Sequence, residues 1–225
     1  MAESQKVKKE RAAQIVARLE EKYPEAVCSL AWVGDPWRLL IMGRLSAQCT
    51  DERVNIVSEE LFRVCPDAAA MASCELPVLE RLIFSCGLYK TKAKSIKEMS
   101  AMIGTRFEGR VPDTMEELLT LPGVGRKIAN LILGDVYHLP AVVADTHCIR
   151  ISARLGLCGK GGEKTTPEKT EAELSRLIAG EKQSDFCHRL VLFGREICTA
   201  RAPRCGDCPL HDLCKYPAVK SEDAS

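Results

Sequence analysis

Apolar residues recur at three- and four-residue spacing along almost the whole chain. No segment alternates apolar and polar residues for a strand's length between hairpin turns. A chain patterned this way folds as packed helices, and the expected class is all-α. Val7, Ala12, Ile15, Val16 and Leu19 place one helix over 5–22, ended by Pro24. Asp35 before Pro36 supplies an N-cap and a first-turn proline for the next, which carries Leu39, Leu40, Met42 and Leu45. Val54, Val57, Leu61 and Phe62 form one stripe over 51–64, and further helices fit 77–85, 90–105, 113–120, 126–137, 146–155, 167–180 and 184–197. The helix over 113–120 opens on the capping pattern Thr114-x-x-Glu117. The stretch GLCGKGGEKTT lacks the glycine spacing and Lys-Ser/Thr ending of a phosphate loop, so it reads as a surface loop.

A chain of 225 residues accommodates one large domain or two small ones. Its 32 basic and 31 acidic side chains leave a formal charge of +1, so any affinity for nucleic acid must come from local patches. No apolar run approaches the ~20 residues of a membrane span. The opening MAESQKVKKERAAQ has no apolar core like that of a signal peptide. A soluble protein of the cytoplasm is expected.

Of the 12 cysteines, eight are scattered, mostly among apolar neighbours, and read as small buried hydrophobes: Cys28, Cys49, Cys65, Cys74, Cys86, Cys148, Cys158 and Cys187. The other four, Cys198, Cys205, Cys208 and Cys214, fall within 17 residues in the spacing C-x6-C-x2-C-x5-C. Pro203, Gly206 and Pro209 prevent this segment from forming a long helix, so it can wrap one centre. Four thiolates in a wrap suit tetrahedral zinc or an iron–sulfur cube. Two disulfides fit a reducing compartment poorly. Arg195, Arg201 and Arg204 beside the wrap would present guanidinium groups to phosphate oxygens.

A second motif, LPGVGRK, joins two expected helices. A Gly-x-Gly turn exposes successive backbone N–H groups, and the helix starting near Arg126 adds the positive end of its dipole. Leu121, Gly123, Val124, Gly125 and Arg126 thus form a candidate grip for one phosphate. Lys127 stands in the first helical turn, where the dipole and Arg126 both disfavour a cation. It is a candidate nucleophilic amine. Asp145, in VADTH, is placed as the N-cap of the next helix and could also stabilise positive charge developing on a sugar. His147, two residues on, is a further candidate beside it. Lys90, Lys92, Lys94 and Lys97 suggest an additional basic edge or a solvated helix face.

LPGVGRKIAN, VADTH and the four-cysteine tail, together with LSAQCTD and GLYKTKA upstream, resemble the bacterial endonuclease III family over residues 5–216. These are helix-hairpin-helix DNA glycosylases that also cleave abasic sites. The resemblance implies a two-lobed all-α fold with a DNA-binding cleft. One lobe would be a six-helix domain over 29–139. The other would join 1–28 to 140–216 around a [4Fe–4S] cluster on the four cysteines, and 217–225 would be a flexible tail. It implies Lys127 as nucleophile and Asp145 as catalytic carboxylate, with the hairpin Leu121–Gly125 holding the backbone near the lesion; His147, Arg201 and Arg204 are read from their own positions as further DNA contacts. Gln48 and Leu88 would fill the gap left by a flipped base, since side chains can replace lost stacking. The implied partner is duplex DNA with oxidised pyrimidines or abasic sites, bound by a monomer at the bacterial nucleoid.

Some residues depart from the family pattern. Leu119 stands where a glutamate is usual, Ala202 where a lysine is usual, and Gly43 with Arg44 interrupts an otherwise apolar stretch before LSAQ. The competing readings are a non-catalytic, metal-stapled damage sensor and a mismatch-specific glycosylase that uses water. Neither needs Lys127.

Overall fold

A computed structural model of the chain describes residues 3–159 and 165–216. Every regular element among these residues is helical, as the periodicity predicts. The chain divides into two compact units, residues 28–137 and residues 1–27 with 138–225.

The unit of residues 28–137 is built around α2 (Pro36–Leu45), in which Trp37, Leu39, Leu40, Ile41, Met42, Gly43 and Leu45 are all buried. A helix apolar on nearly every side must be enclosed. Here α3 (Asp51–Val64), α6 (Tyr89–Arg106) and α8 (Arg126–Asp135) pack against it. Gly43 lets α8 come close, since a Cβ there would meet Ile128 Cγ2 at 3.3 Å. Asp35 caps α2 as expected, accepting from Trp37 N at 2.9 Å. This unit also holds two short helices, α4 (Ala68–Ser73) and α5 (Leu76–Leu82), the latter followed by a 3-10 turn (Phe84–Cys86). The sequence pattern missed α4, whose run of alanines carries no period; Asp67 starts it by accepting from Ala70 N at 2.8 Å. The helix expected over 113–120 shortens to one turn, α7 (Met115–Leu118), capped by Thr114 as predicted.

The second unit holds α1 (Gln5–Lys22), α9 (Thr146–Arg154), α10 (Pro167–Leu177) and α11 (Gln183–Glu196). α9 and α11 meet at Gly194, where a Cβ would lie 2.4 Å from His147 Nδ1 and 2.8 Å from Ile151 Cδ1. Part of the glycine-rich stretch, residues 160–164, and the tail 217–225 lie outside the described residues. No helix among the described residues is long and apolar enough to cross a membrane.

Two expectations change. The four lysines at the start of α6 do not form a basic edge. Lys92 is fully buried, and Lys97 donates to the carbonyls of Ala72 (2.6 Å) and Cys74 (2.5 Å), tying α4 to α6. The scattered cysteines are mostly buried, yet six of them also lie in neighbouring pairs: Cys49 with Cys86, Cys65 with Cys74, and Cys148 with Cys187.

The contact at Gly194 leaves no room for a methyl group. Gly194→Ala should lower stability by about 1–3 kcal/mol, the usual cost of overpacking a tight contact. Thermal melting of the variant beside wild type measures it.

Candidate active site and metal centre

The turn between α7 and α8 is anchored by two buried side chains, Leu121 and Val124, and closed by Val124 N donating to Leu121 O at 3.1 Å. Gly123 at its tip has φ +79°, a region that L side chains rarely adopt. A Cβ there would also strike Arg44 Nε at 2.5 Å and Ser95 Cβ at 2.9 Å. Arg44, one of the departures noted in the sequence, thus lies against the hairpin, its Nε donating to Ser95 Oγ at 3.3 Å. Gly125 is the N-cap of α8 and has no side chain to satisfy the helix's first N–H groups. The positive end of the helix is left for solvent or an anion, and Arg126 and Lys127 are exposed there.

Gln48 and Leu88 share an uncommon backbone. Both are exposed, and both have positive φ, +55° and +47°. Holding a non-glycine residue in that region costs about 1–3 kcal/mol and persists only where the surroundings enforce it. Leu88 is 60% exposed, which removes the alternative of simple core packing.

In the other unit, Asp145 caps α9, its Oδ1 accepting from Cys148 N at 2.7 Å. Oδ2 makes no hydrogen bond among the described residues. His147 is half-buried between α9 and α11, its Nδ1 3.3 Å from Arg150 Nη2. Its position supports the helix that carries Asp145.

Cys198, Cys205, Cys208 and Cys214 line one pocket with Leu155, Phe193, Ile197, Pro203 and Tyr216. All four are free thiols, so the disulfide reading fails. Among the described residues no three His, Cys, Asp or Glu side chains gather closely enough to hold a single metal ion. Four cysteine sulfurs around one pocket are a donor set that an iron–sulfur cluster takes. Burial first, with the neighbouring thiols adding to it, pushes Cys208 up to about 11 and also raises Cys214; a bound metal's charge would favour the thiolates.

Cationic side chains hold the wrap in place. Arg154 Nη1 donates to Thr199 O at 2.7 Å and lies 3.4 Å from Cys198 Sγ, while its Nη2 donates to Ala200 O at 2.9 Å. Arg150 Nη2 donates to Cys198 O at 3.0 Å. From α1, Arg11 reaches Leu213 O at 2.9 Å and Arg18 reaches Pro209 O at 2.8 Å. Sequence reasoning passed over these arginines, although the four-residue spacing of Arg150 and Arg154 on one helix was a visible signal. Of the loop arginines it did select, Arg201 is exposed, and Arg204 folds back to Glu196 O at 2.5 Å.

Comparison with known proteins gives concordant matches. Residues 41–179 match the HhH-GPD superfamily of base excision DNA repair proteins, and residues 198–214 match the iron-sulfur binding domain of endonuclease III. The endonuclease III of Synechocystis sp. is 45% identical over 92% of this chain and 93% of its own length. That of Escherichia coli K12 is 36% identical over 92% and 96%. A solved endonuclease III trapped as a covalent intermediate with DNA has a TM-score of 0.87, at 37% identity, over 96% of this chain and 98% of its own. A non-covalent endonuclease III–DNA complex gives 0.88 at 36% identity, over 96% and 99%.

Arg154 is the side chain most involved with the wrap. Arg154→Met should lose iron and acid-labile sulfide to a chelator faster than wild type, by about tenfold or more, as is usual when a partner of a ligating residue is removed. Timed iron and sulfide analysis checks this.

Proposed function

The chain belongs to the endonuclease III family within the HhH-GPD superfamily of base excision DNA repair proteins, and on that footing we propose which residues carry its DNA glycosylase and abasic-site lyase chemistry. The Lys127 Nζ lone pair forms a bond to C1′ of the damaged nucleoside while the glycosidic bond breaks, its electron pair leaving with the base. Asp145 stabilises the positive charge that develops on the sugar as that bond breaks. The sugar ring then opens to a Schiff base on Lys127. Loss of a C2′ proton sends electrons toward C3′, and the 3′ phosphate departs by β-elimination. Water finally hydrolyses the Schiff base and frees the lysine. An amine is required, because attack by water would end at the abasic site.

The observation that carries this reading is the placement of Lys127 on a helix end that no side chain caps, directly after a Gly-x-Gly turn. There the amine accompanies a ready anion site made of the hairpin's N–H groups and Arg126. The hairpin grips a backbone phosphate near the lesion, and Gln48 and Leu88 enter the duplex in place of an extruded base. Excluded water and side-chain stacking offset the few kcal/mol that extrusion costs.

The cofactor is a [4Fe–4S] cluster, with Cys198, Cys205, Cys208 and Cys214 as ligands, and when bound it cross-links residues 198–214 into one rigid loop. That loop offers Arg201 to a phosphate, with Ala202 contributing no charge. Leu119, 40% exposed at the end of α7, cannot order water as a carboxylate would, so proton handling near the hairpin falls to other groups. The substrate class is oxidised pyrimidines in duplex DNA. The working form is a monomer acting at the nucleoid in the bacterial cytoplasm.

Lys127→Ala should abolish strand cleavage at an abasic site while duplex binding persists. Asp145→Asn should slow base release by about 100–1000-fold, the size of effect expected when charge stabilisation is removed. Cleavage assays beside binding titrations decide both. Undiminished cleavage by Lys127→Ala would overturn the assignment of the nucleophile.

A further inference from the structure

Lys92 is the largest fully buried side chain whose purpose the chemistry above leaves unexplained. Its ammonium donates to two main-chain carbonyls, Leu45 O at 2.8 Å and Cys86 O at 2.6 Å. Leu45 ends α2, three residues before Gln48, and Cys86 ends the 3-10 turn, two residues before Leu88. The backbone N–H of Lys92 also donates to Leu88 O at 3.1 Å. One residue therefore holds the loop of Gln48 and the loop of Leu88, each of which projects an exposed side chain from a left-handed backbone.

Its surroundings do not explain a lysine on grounds of stability. The side chain makes no ion pair with a carboxylate among the described residues. Around it stand the thiols of Cys49 and Cys86 and the guanidinium of Arg44, and burial lowers its affinity for a proton. A buried cation facing thiols and another cation is costly. Its return is two directional hydrogen bonds to segments far apart in sequence, which an apolar side chain cannot make.

We propose that Lys92 is a positioning residue: its ammonium clamps the loop of Gln48 to the loop of Leu88, so that both side chains enter the duplex as a set. The proposal rests on the reading that Gln48 and Leu88 replace an extruded base. It adds that their registration with each other is set from beneath by one buried side chain. The clamp touches neither substrate nor Lys127. Its removal therefore weakens base extrusion and leaves the amine chemistry on an already accessible sugar intact.

The test uses full-length, cluster-loaded protein with Lys92→Met, Lys92→Gln, Gln48→Ala and Leu88→Ala. Each is assayed on a duplex with an oxidised pyrimidine and on a single-stranded abasic oligonucleotide trapped with borohydride. A fluorescent base analogue opposite the lesion reports extrusion. Lys92→Met should lose about 10–100-fold of duplex excision, as expected for a small misplacement remote from the chemistry. Its fluorescence response should fall with that rate, and single-strand trapping should match wild type. Lys92→Gln, which keeps an amide donor, should fall between the two. Equal losses on both substrates, unchanged duplex excision, or failure of both Lys92 variants to fold with a cluster would each overturn the clamp. If Gln48→Ala and Leu88→Ala leave the fluorescence unchanged, the reading of those two residues fails instead.

Discussion

Arg150 and Arg154, one helical turn apart on α9, hold the start of the cysteine wrap through the carbonyls of Cys198, Thr199 and Ala200. The same helix begins at Asp145, whose carboxylate caps it. Nine residues of helix span about 14 Å and bend little, so the carboxylate and the wrap are the two ends of one rigid rod. Much else in this unit serves that rod. Gly194 lets α11 lie against it, His147 fills the contact, and Arg11 carries the hold from α1 to Leu155 O at 2.6 Å. Through these hydrogen bonds the cysteine wrap and the helix capped by Asp145 brace each other. The wrap has little regular structure of its own beyond one 3-10 turn, His211–Leu213.

The other unit keeps backbone and side chains exposed at three loops without letting them collapse inward. The hairpin does so with two glycines, one for a left-handed φ and close approach to Arg44, the other as a cap that covers nothing. The loops of Gln48 and Leu88 do so with strained backbone, held from beneath by α6. Arg44 looks out of place in an apolar sequence stretch. In the fold it lies along Gly123 and Ser95, where its stem packs and its charge reaches the edge of the hairpin.

Much of this was legible in the sequence because short-range rules govern it. Helix α1 begins and ends where its stripe and Pro24 place it, and Asp35, Thr114 and Asp145 cap as their spacing predicts. The hairpin could be read from its glycines, and the wrap from the cysteines. What escaped depends on contacts between distant segments. Lys92 and Lys97 have the same local pattern as Lys90 and Lys94, and only the fold buries Lys92 and draws half-buried Lys97 onto main-chain carbonyls. Arg150 and Arg154 look like an ordinary solvated helix face until the wrap is folded against them. Helix α4 is too short for any period and exists because α6 covers it. The positive φ of Gln48 and Leu88 has no local signal either, since neither is a residue that favours that region.

The assignment of the nucleophile is the central claim, and peptide mapping of the borohydride-trapped protein–DNA adduct tests it most directly. The account predicts that wild-type protein, trapped on duplex DNA and digested, carries the reduced sugar on the peptide containing Lys127 alone. An adduct on Lys90, Lys94 or the N-terminal amine, with Lys127 unmodified, would contradict it.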